Sequence, residues 1–294
     1  MTSTLERPGT RTPARPPRQR RRRRGRPNLP AGVASLLWLV IIALPLYVLL
    51  VTTLQTRDAY FDRGGLSVPT DPTLDNYRKV LDSSFFTYLL NTAVVTVACV
   101  ALVLVLGVCV GYAVVRARGR GAQRLFQMFL LGLAIPAQAV IIPVFLLITK
   151  LELYDSLLAV ILPTAAFALP VSVLILAGSM RDIDEELYES MALDGAGPVR
   201  ILLRLVVPMS RTGISTAAVY TALQAWNGFL FPLILTQSPE SRVLTLGLYD
   251  YVGEFRVDVP ALLAAVVLSV VPIFAVYLFA RRQLVDGLMG AGGR

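Results

Sequence analysis

The chain has 294 residues, of which 55% are hydrophobic and 16% are charged, and its formal net charge is +9. It contains no histidine, which excludes histidine-based nucleophilic catalysis and histidine metal ligation. Six long apolar stretches contain no Asp, Glu, Lys or Arg, and so avoid the cost of about 2.5–3.5 kcal/mol for each charge at mid-membrane. This pattern indicates a polytopic membrane protein and disfavours a soluble protein or a β-barrel, whose strands would alternate.

The first 33 residues are rich in proline and arginine and include an unbroken arginine run from Arg20 to Arg24. We predict that residues 1–33 form a disordered cytoplasmic tail that helps to set the orientation of the chain. Contact of this tail with nucleic acid or anionic lipid is the alternative. Residues 34–294 are predicted to form a single membrane domain.

The six apolar stretches are each long enough, at about 20 residues or more, to cross the hydrocarbon core as a helix. The predicted spans are Ala34–Leu54, Tyr88–Val115, Leu125–Thr149, Leu157–Met180, Ile214–Thr236 and Val259–Ala280. The predicted fold class is therefore an all-α membrane protein with six transmembrane helices. Six spans place both termini on one side, and that side holds 21 of the 28 basic residues. This excess predicts that both termini and the loop 181–212 are cytoplasmic.

The loop 181–212 is a long polar segment between two apolar stretches, and its pattern predicts two short helices. Asp182, with Glu185 three residues later, predicts a capping box at the start of the first helix. Gly195 permits a left-handed turn, and Pro198 stands at the favoured first position of the second helix. The pattern alone leaves two interpretations open: a docking element for a soluble partner, or an amphipathic connector on lipid head groups.

The stretch ESMALDGA from Glu189 to Ala196, followed by Pro208, resembles the EAA loop of ABC-transporter permeases, with serine and methionine in place of two alanines. The segments LDNYRKVL, FALP, AWNGFLFPL and QLVDGLMGAGG resemble the maltose-type (MalG-like) carbohydrate-uptake branch of that family. The resemblance implies a permease like those of type I ABC importers, with a cytoplasmic loop of coupling helices. The residues it implies in coupling to an ATPase are Glu189, Ala192, Asp194, Gly195, Ala196, Arg200 and Pro208.

The resemblance also implies the partners of the chain. These are a cytoplasmic ATPase dimer that binds ATP, a second permease subunit in a heterodimer, an extracellular solute-binding protein and the lipid bilayer, with no nucleic acid. The chain itself has no nucleotide-binding loop of the GxxxxGK[ST] type, and we expect no cofactor, metal or catalytic residue in it. The expected location is the cell (inner or plasma) membrane, with several crossings.

Polar residues within the spans are candidates for the substrate pathway, because a neutral sugar requires hydrogen-bonding and aromatic side chains without fixed charge. These candidates are Tyr220, Gln224, Asn227, Asn91 and Gln138. Hydrogen bonding between helices is the alternative role for each of them. Import of another solute class, such as a peptide or a polyol, stays open. An ion-coupled carrier or an intramembrane enzyme is disfavoured, because no ionisable Asp, Glu, Lys or His lies in a span.

Overall fold

The computed structural model describes residues 29–117, 119–252 and 257–291, and within these ranges the chain is mostly helical. The α-helices are α1 (Leu29–Thr53), α2 (Arg57–Arg63), α3 (Asp75–Leu81), α4 (Phe85–Arg116), α5 (Arg120–Gly132), α6 (Ile141–Lys150), α7 (Leu157–Arg181), α8 (Glu185–Leu193), α9 (Pro198–Ile201), α10 (Val207–Met209), α11 (Arg211–Trp226), α12 (Leu230–Leu235), α13 (Leu244–Gly247) and α14 (Val259–Ala291). Short 3-10 helices cover Ala137–Val140, Pro239–Ser241 and Leu248–Tyr251, and a π-turn covers Leu202–Val206. The predicted all-α class is confirmed.

The chain divides into two units, Met1–Leu46 and Tyr47–Arg294. In the first unit, α1 begins at Leu29, before the predicted start of the first span, and the rest of the predicted tail lies outside the described residues. Large apolar side chains are exposed along this part of α1. Lipid solvates such a helix where water would not, because hydrocarbon is as apolar as the side chains themselves.

The predicted spans differ in how continuous they are. The first, second and fourth correspond to the long apolar helices α1, α4 and α7. The third is a pair of helices bent by 94°, which breaks after Gly132 because Pro136 cannot donate a backbone hydrogen bond. The fifth is divided between α11 and α12, and the apolar part of the sixth is the shorter segment Val259–Ala275. Length and composition therefore account for three spans, or four with the bent pair, of the six predicted.

Helices α4, α7 and α11 form the centre of the second unit, and small residues let them approach closely. A Cβ atom added to Gly213 of α11 would lie 2.4 Å from the Ser179 Cβ of α7. One added to Gly107 of α4 would lie 2.9 Å from Leu176. Close backbone approach of this kind is how membrane helices gain packing energy without help from water.

The loops meet in two groups at opposite ends of these helices. At one end, the Lys79 Nζ atom lies 3.3 Å from Asp258, and the Asp155 carboxylate accepts backbone hydrogen bonds from Gln237 and Ser238 at 2.8 and 3.0 Å. We call this the three-loop end, because the first, third and fifth of the loops between the predicted spans (residues 55–87, 150–156 and 237–258) meet there. The N–H group of Gln237 and then that of Ser238 hold the pKa of Asp155 below its ordinary value. The second loop (116–124) and the fourth (181–212) meet at the other end, where Arg116 lies 2.7 Å from Glu185. We call it the coupling end, after the role predicted for residues 181–212.

Candidate functional site

The loop 181–212 starts where α7 ends, and its first helix begins later than the sequence pattern predicts. Asp184 precedes α8, and its side chain makes no capping hydrogen bond. The predicted capping box at Asp182 is therefore wrong. Asp182 follows α7 directly with helical backbone angles, and the next residue, Ile183, is buried, so the chain turns inward before α8 begins.

The predicted left-handed turn is present at Gly195, where φ is +78°. The N–H of Ala196 donates to the Met191 carbonyl at 3.0 Å, and the N–H of Gly195 donates to the Ala192 carbonyl at 3.0 Å. This pair of bonds is a Schellman motif, which closes α8 and satisfies two of its terminal carbonyls. Open space surrounds Gly195, so backbone conformation and not crowding requires glycine at this position.

The second half of the loop is a helix that contains a widened turn. It starts with Pro198 at the first position of α9, as predicted, and continues through the π-turn into α10. The N–H of Val207 donates to the carbonyl of Leu202, five residues earlier. A π-turn next to Pro208 relieves the clash that a proline makes with the preceding turn of an α-helix.

One face of the loop is anchored to the membrane helices. Tyr188, which is only 1% exposed, packs with Ile201 and Val206 in a buried cluster that includes Leu176 and Met180 of α7. Burial of each such side chain contributes about 1.5–3 kcal/mol. The two halves of the loop therefore sit on the same support and cannot move far without it.

Arg116, the last residue of α4, connects that helix to α8. Its guanidinium lies 2.7 Å from a carboxylate oxygen of Glu185 and 4.4 Å from the centroid of the Tyr188 ring. Burial raises the pKa of the Tyr188 phenol, and the positive charge of Arg116 opposes that rise. The coupling end thus ties α8 to α4 through charge and to α7 through apolar packing.

The opposite face of the loop is exposed and carries most of the residues that the sequence pattern predicts for coupling. The exposed members of that set are Glu189, Ala192, Asp194, Gly195 and Arg200, while Ala196 and Pro208 are half-buried. Large apolar side chains also lie exposed in this segment, and the most exposed of them are Leu193 at 89%, Val199 at 69% and Leu203 at 61%. Exposed apolar side chains among charged ones are typical of a protein-binding surface.

The predicted pathway residues of α11 lie away from the buried edge of that helix. Its buried edge is formed by Gly213, Ala217, Thr221 and Ala225. Gln224 and Asn227 are exposed, and Tyr220 is half-buried beside them. Asn227 lies at the break between α11 and α12, where its amide N–H donates to the Leu223 carbonyl at 2.9 Å. The structure thus places Gln224 and Asn227 on a surface that the chain itself does not cover, with Tyr220 partly covered beside them.

The two other predicted pathway residues lie in different settings. Asn91 is buried, and its amide N–H groups donate to the carbonyls of Glu240 and Arg242 at 2.7 and 2.8 Å. Both amide hydrogens therefore hold the fifth loop at the three-loop end, which is a structural role. Gln138 is exposed in the 3-10 helix at the bend of the third predicted span. The structure thus brings Tyr220, Gln224 and Asn227 together, whereas the amide N–H groups of Asn91 are engaged by the carbonyls of the fifth loop.

The family described as "Binding-protein-dependent transport system inner membrane component" matches residues 103–287, which is more than half of the chain. The chain belongs to this family. The permease is 32% identical over 252 residues to the putative ABC transporter permease protein ORF2 of Caldicellulosiruptor sp. (strain Rt8B.4), a match that covers 86% of this chain and 92% of the relative. It is 30% identical over 252 residues to the diacetylchitobiose uptake system permease protein NgcG of Streptomyces coelicolor, covering 85% and 83% of the two chains.

Two further comparisons agree with that membership. The permease is 28% identical over 244 residues to the trehalose transport system permease protein SugB of Mycobacterium tuberculosis, covering 82% of this chain and 89% of the relative. A crystal structure of a bacterial ABC transporter involved in the import of the acidic polysaccharide alginate shares the fold, with a TM-score of 0.74 at 21% identity. That match covers 87% of this chain and 97% of the other. The predicted permease family and fold are therefore confirmed.

Two features of the permease's loop are absent from the set of coupling residues predicted above: the pairing of Arg116 with Glu185, and the exposed apolar residues. In the sequence, Arg116 is one of several basic residues at the end of a predicted span. Its pairing with Glu185 is visible only in the folded structure. The exposed apolar residues follow a simpler rule. Leu193 lies four residues after Glu189 on the same helical stripe, and Val199 lies four before Leu203, so a helical projection places each pair together.

Proposed function

We propose that this permease is a subunit of an ATP-driven importer of sugars or oligosaccharides, and that residues 181–212 dock on a cytoplasmic ATPase. The observation that carries the proposal is the two-faced character of this loop. Tyr188 anchors its inner face in the membrane bundle, whereas Leu193, Val199 and Leu203 are exposed on the polar segment. A groove on a partner protein removes this apolar surface from water, and burial of such side chains favours association.

The geometry of the loop suits the transmission of force. The Schellman turn at Gly195 fixes the angle between the two halves, and the buried cluster fixes both halves to α7 and α11. Conversion of a two-state bundle from 1:99 to 99:1 requires about 5.5 kcal/mol of differential binding. Burial of Tyr188, Ile201 and Val206 stabilises their attachment to the bundle by about 1.5–3 kcal/mol each. The sum is of the same order as this differential binding energy, so the loop should stay attached to the bundle while the bundle changes state. ATP is bound and hydrolysed by the partner, and this chain is not an enzyme.

The pathway lies, in this proposal, along the exposed surface of α11 that carries Gln224 and Asn227, with a second permease subunit opposite. Both side chains are uncharged hydrogen-bonding groups, as a neutral sugar requires. The diacetylchitobiose and trehalose permeases among the relatives support sugars as the substrate class. A solute-binding protein then docks at the three-loop end, and both termini face the cytoplasm.

The test is uptake by the transporter reconstituted with its ATPase. Gly195→Pro removes the N–H that closes α8 and forbids a φ of +78°, so we expect uptake and stimulated ATP hydrolysis to be lost while membrane insertion continues. Glu189→Lys reverses an exposed charge on the docking face and has the same expected result.

Two matched variants control for general damage to the loop. Asparagine tolerates the left-handed conformation, so Gly195→Asn retains most of the uptake. Gly197→Ala lies two residues away, with a φ of −71° and open space around it, and leaves uptake unchanged. Full uptake by Gly195→Pro and Glu189→Lys would remove the docking role from this loop.

A further inference from the structure

A cavity of about 450 Å³ lies at the coupling end, between the end of α4, the first turns of α5 and the end of α7. Its volume is within the range of about 300–1,000 Å³ that is typical of small-molecule sites. The residues that line it include Val114, Gln123, Phe126, Gln127, Leu130 and Arg181. Arg181, the last residue of α7, is the only one of these within the loop 181–212, and none of them is a predicted coupling or pathway residue, so the cavity is a separate feature of the permease.

The lining of the cavity is divided by chemistry. Val114, Phe126 and Leu130 provide apolar walls, whereas Gln123, Gln127 and Arg181 provide polar groups. A small polar solute leaves the apolar walls unused, and a purely apolar ligand leaves the polar groups unpaired. The ligand that satisfies both is an amphiphile with a polar head.

The charged residues in and beside the cavity indicate the charge that the polar head group of the ligand should carry. The guanidinium of Arg181 is exposed and lies over the Phe126 ring, 5.1 Å from its centroid. Arg120 and Arg124 are exposed one helical turn apart on α5, on the stripe beside the two glutamines. In the part of the chain that the structure describes, no carboxylate lines the cavity or pairs with Arg181. An anionic group therefore fits.

The acidic residues that follow Arg181 in the chain place no carboxylate in the cavity that could pair with its guanidinium. Asp182 and Asp184 are exposed, and neither lines it. Glu185 is paired with Arg116 on the α8 side. The cavity is thus a basic pocket between membrane helices, of the kind that binds the head groups of anionic lipids.

We propose that this cavity binds an anionic phospholipid, with its phosphate at Arg181 and the upper part of an acyl chain along Phe126 and Leu130. Guanidinium groups bind phosphate through directed N–H bonds, and the apolar walls distinguish a lipid from free phosphate. The bound lipid would connect the ends of α4, α5 and α7 directly beside the loop 181–212. This inference is independent of the transported solute and of ATP, so it stands or falls separately from the proposed function.

The experiment is native mass spectrometry of the assembled transporter after incubation with an equimolar mixture of phosphatidylglycerol and phosphatidylcholine. We expect the unmodified complex to retain phosphatidylglycerol preferentially. Arg181→Gln should lower that retention about fivefold, the factor for one arginine at an anionic membrane surface. Arg181→Lys keeps the charge and should stay within about twofold of the unmodified chain. Arg211→Gln, at an exposed arginine that does not line the cavity, is the matched control and should change nothing.

A competition arm separates the two sources of phosphate. Millimolar inorganic phosphate should not displace the lipid, because it gains nothing from the apolar walls. Displacement would identify a free anion as the ligand and overturn the lipid assignment. Equal retention by Arg181→Gln and Arg211→Gln would remove the cavity as the site. Absence of retained phosphatidylglycerol from the unmodified assembled complex, as when the ATPase fills the cavity, would also overturn the proposal.

Discussion

The connection between Arg116 and α8 is the contact whose removal is most informative. The ion pair with Glu185 is partly exposed, with side chains 30% and 48% accessible, so it contributes about 0.2–1 kcal/mol. The contact over the Tyr188 ring, at 4.4 Å, contributes about 0.5–2 kcal/mol. Together they amount to about 1–3 kcal/mol, which is roughly a 5- to 150-fold change in the equilibrium between attached and detached α8. Arg116→Gln should produce a change of that size.

The assay is amide hydrogen exchange in the assembled transporter, measured together with solute imported per ATP hydrolysed. In Arg116→Gln, amide exchange in α8 should accelerate by roughly 5- to 150-fold, because detachment of α8 exposes its backbone amides to solvent. Exchange in α11 should stay unchanged, since the ion pair and ring contact that the structure describes for Arg116 both go to α8. Under the proposed docking of residues 181–212 on the ATPase, import per ATP should fall while ATP hydrolysis continues, because the ATPase would then move a loop that is less firmly attached.

Two variants test whether the guanidinium is the cause. Arg116→Lys keeps the charge but not the planar stacking group, so its effect should be intermediate. Tyr188→Phe keeps the ring and removes a hydroxyl that lies 3.5 Å from the Met180 carbonyl, too far for a strong bond, so it should have little effect. The reasoning is refuted if exchange in α8 is no faster in Arg116→Gln than in Tyr188→Phe.

Three further predictions concern other parts of the permease. Gly247→Ala places a Cβ 2.2 Å from the Tyr88 ring, so the free energy of unfolding of the purified protein should fall by about 1–3 kcal/mol in thermal unfolding experiments. Gly121→Ala adds a Cβ where the space is open and should not destabilise the protein. The pKa of the Asp155 carboxyl is lower in the folded state than in the unfolded state. The stability that this carboxylate contributes is therefore present above the unfolded pKa and is lost as the pH falls through the folded pKa. Acid unfolding curves of Asp155→Asn should lack this pH-dependent decrease in stability. Combined replacement of Gln224 and Asn227 by alanine should change the KM or the rate of uptake but not the yield of assembled complex, and unchanged kinetics would return both to a packing role.

Local features of the permease follow from its sequence alone. The apolar stretches predict membrane helices, because each helix satisfies its own backbone hydrogen bonds and needs only an apolar surface. Gly195 and Pro198 predict a turn and a helix start, because these residues restrict or permit particular backbone angles wherever they stand. The resemblance of Glu189 to Pro208 to the EAA loop identifies the family. Each of these inferences uses neighbouring residues only.

The remaining features depend on contacts between residues far apart in the chain, and only the tertiary structure decides them. Asp182 has the pattern of a helix cap, but burial of Ile183 shifts the start of α8. Asn91 has the pattern of a pathway residue, but the carbonyls of the fifth loop occupy both of its donors. Arg116 gains its partners because the second and fourth loops meet. A side chain's partners depend on which helices pack together, and that packing is a property of the whole bundle rather than of any single stretch of sequence.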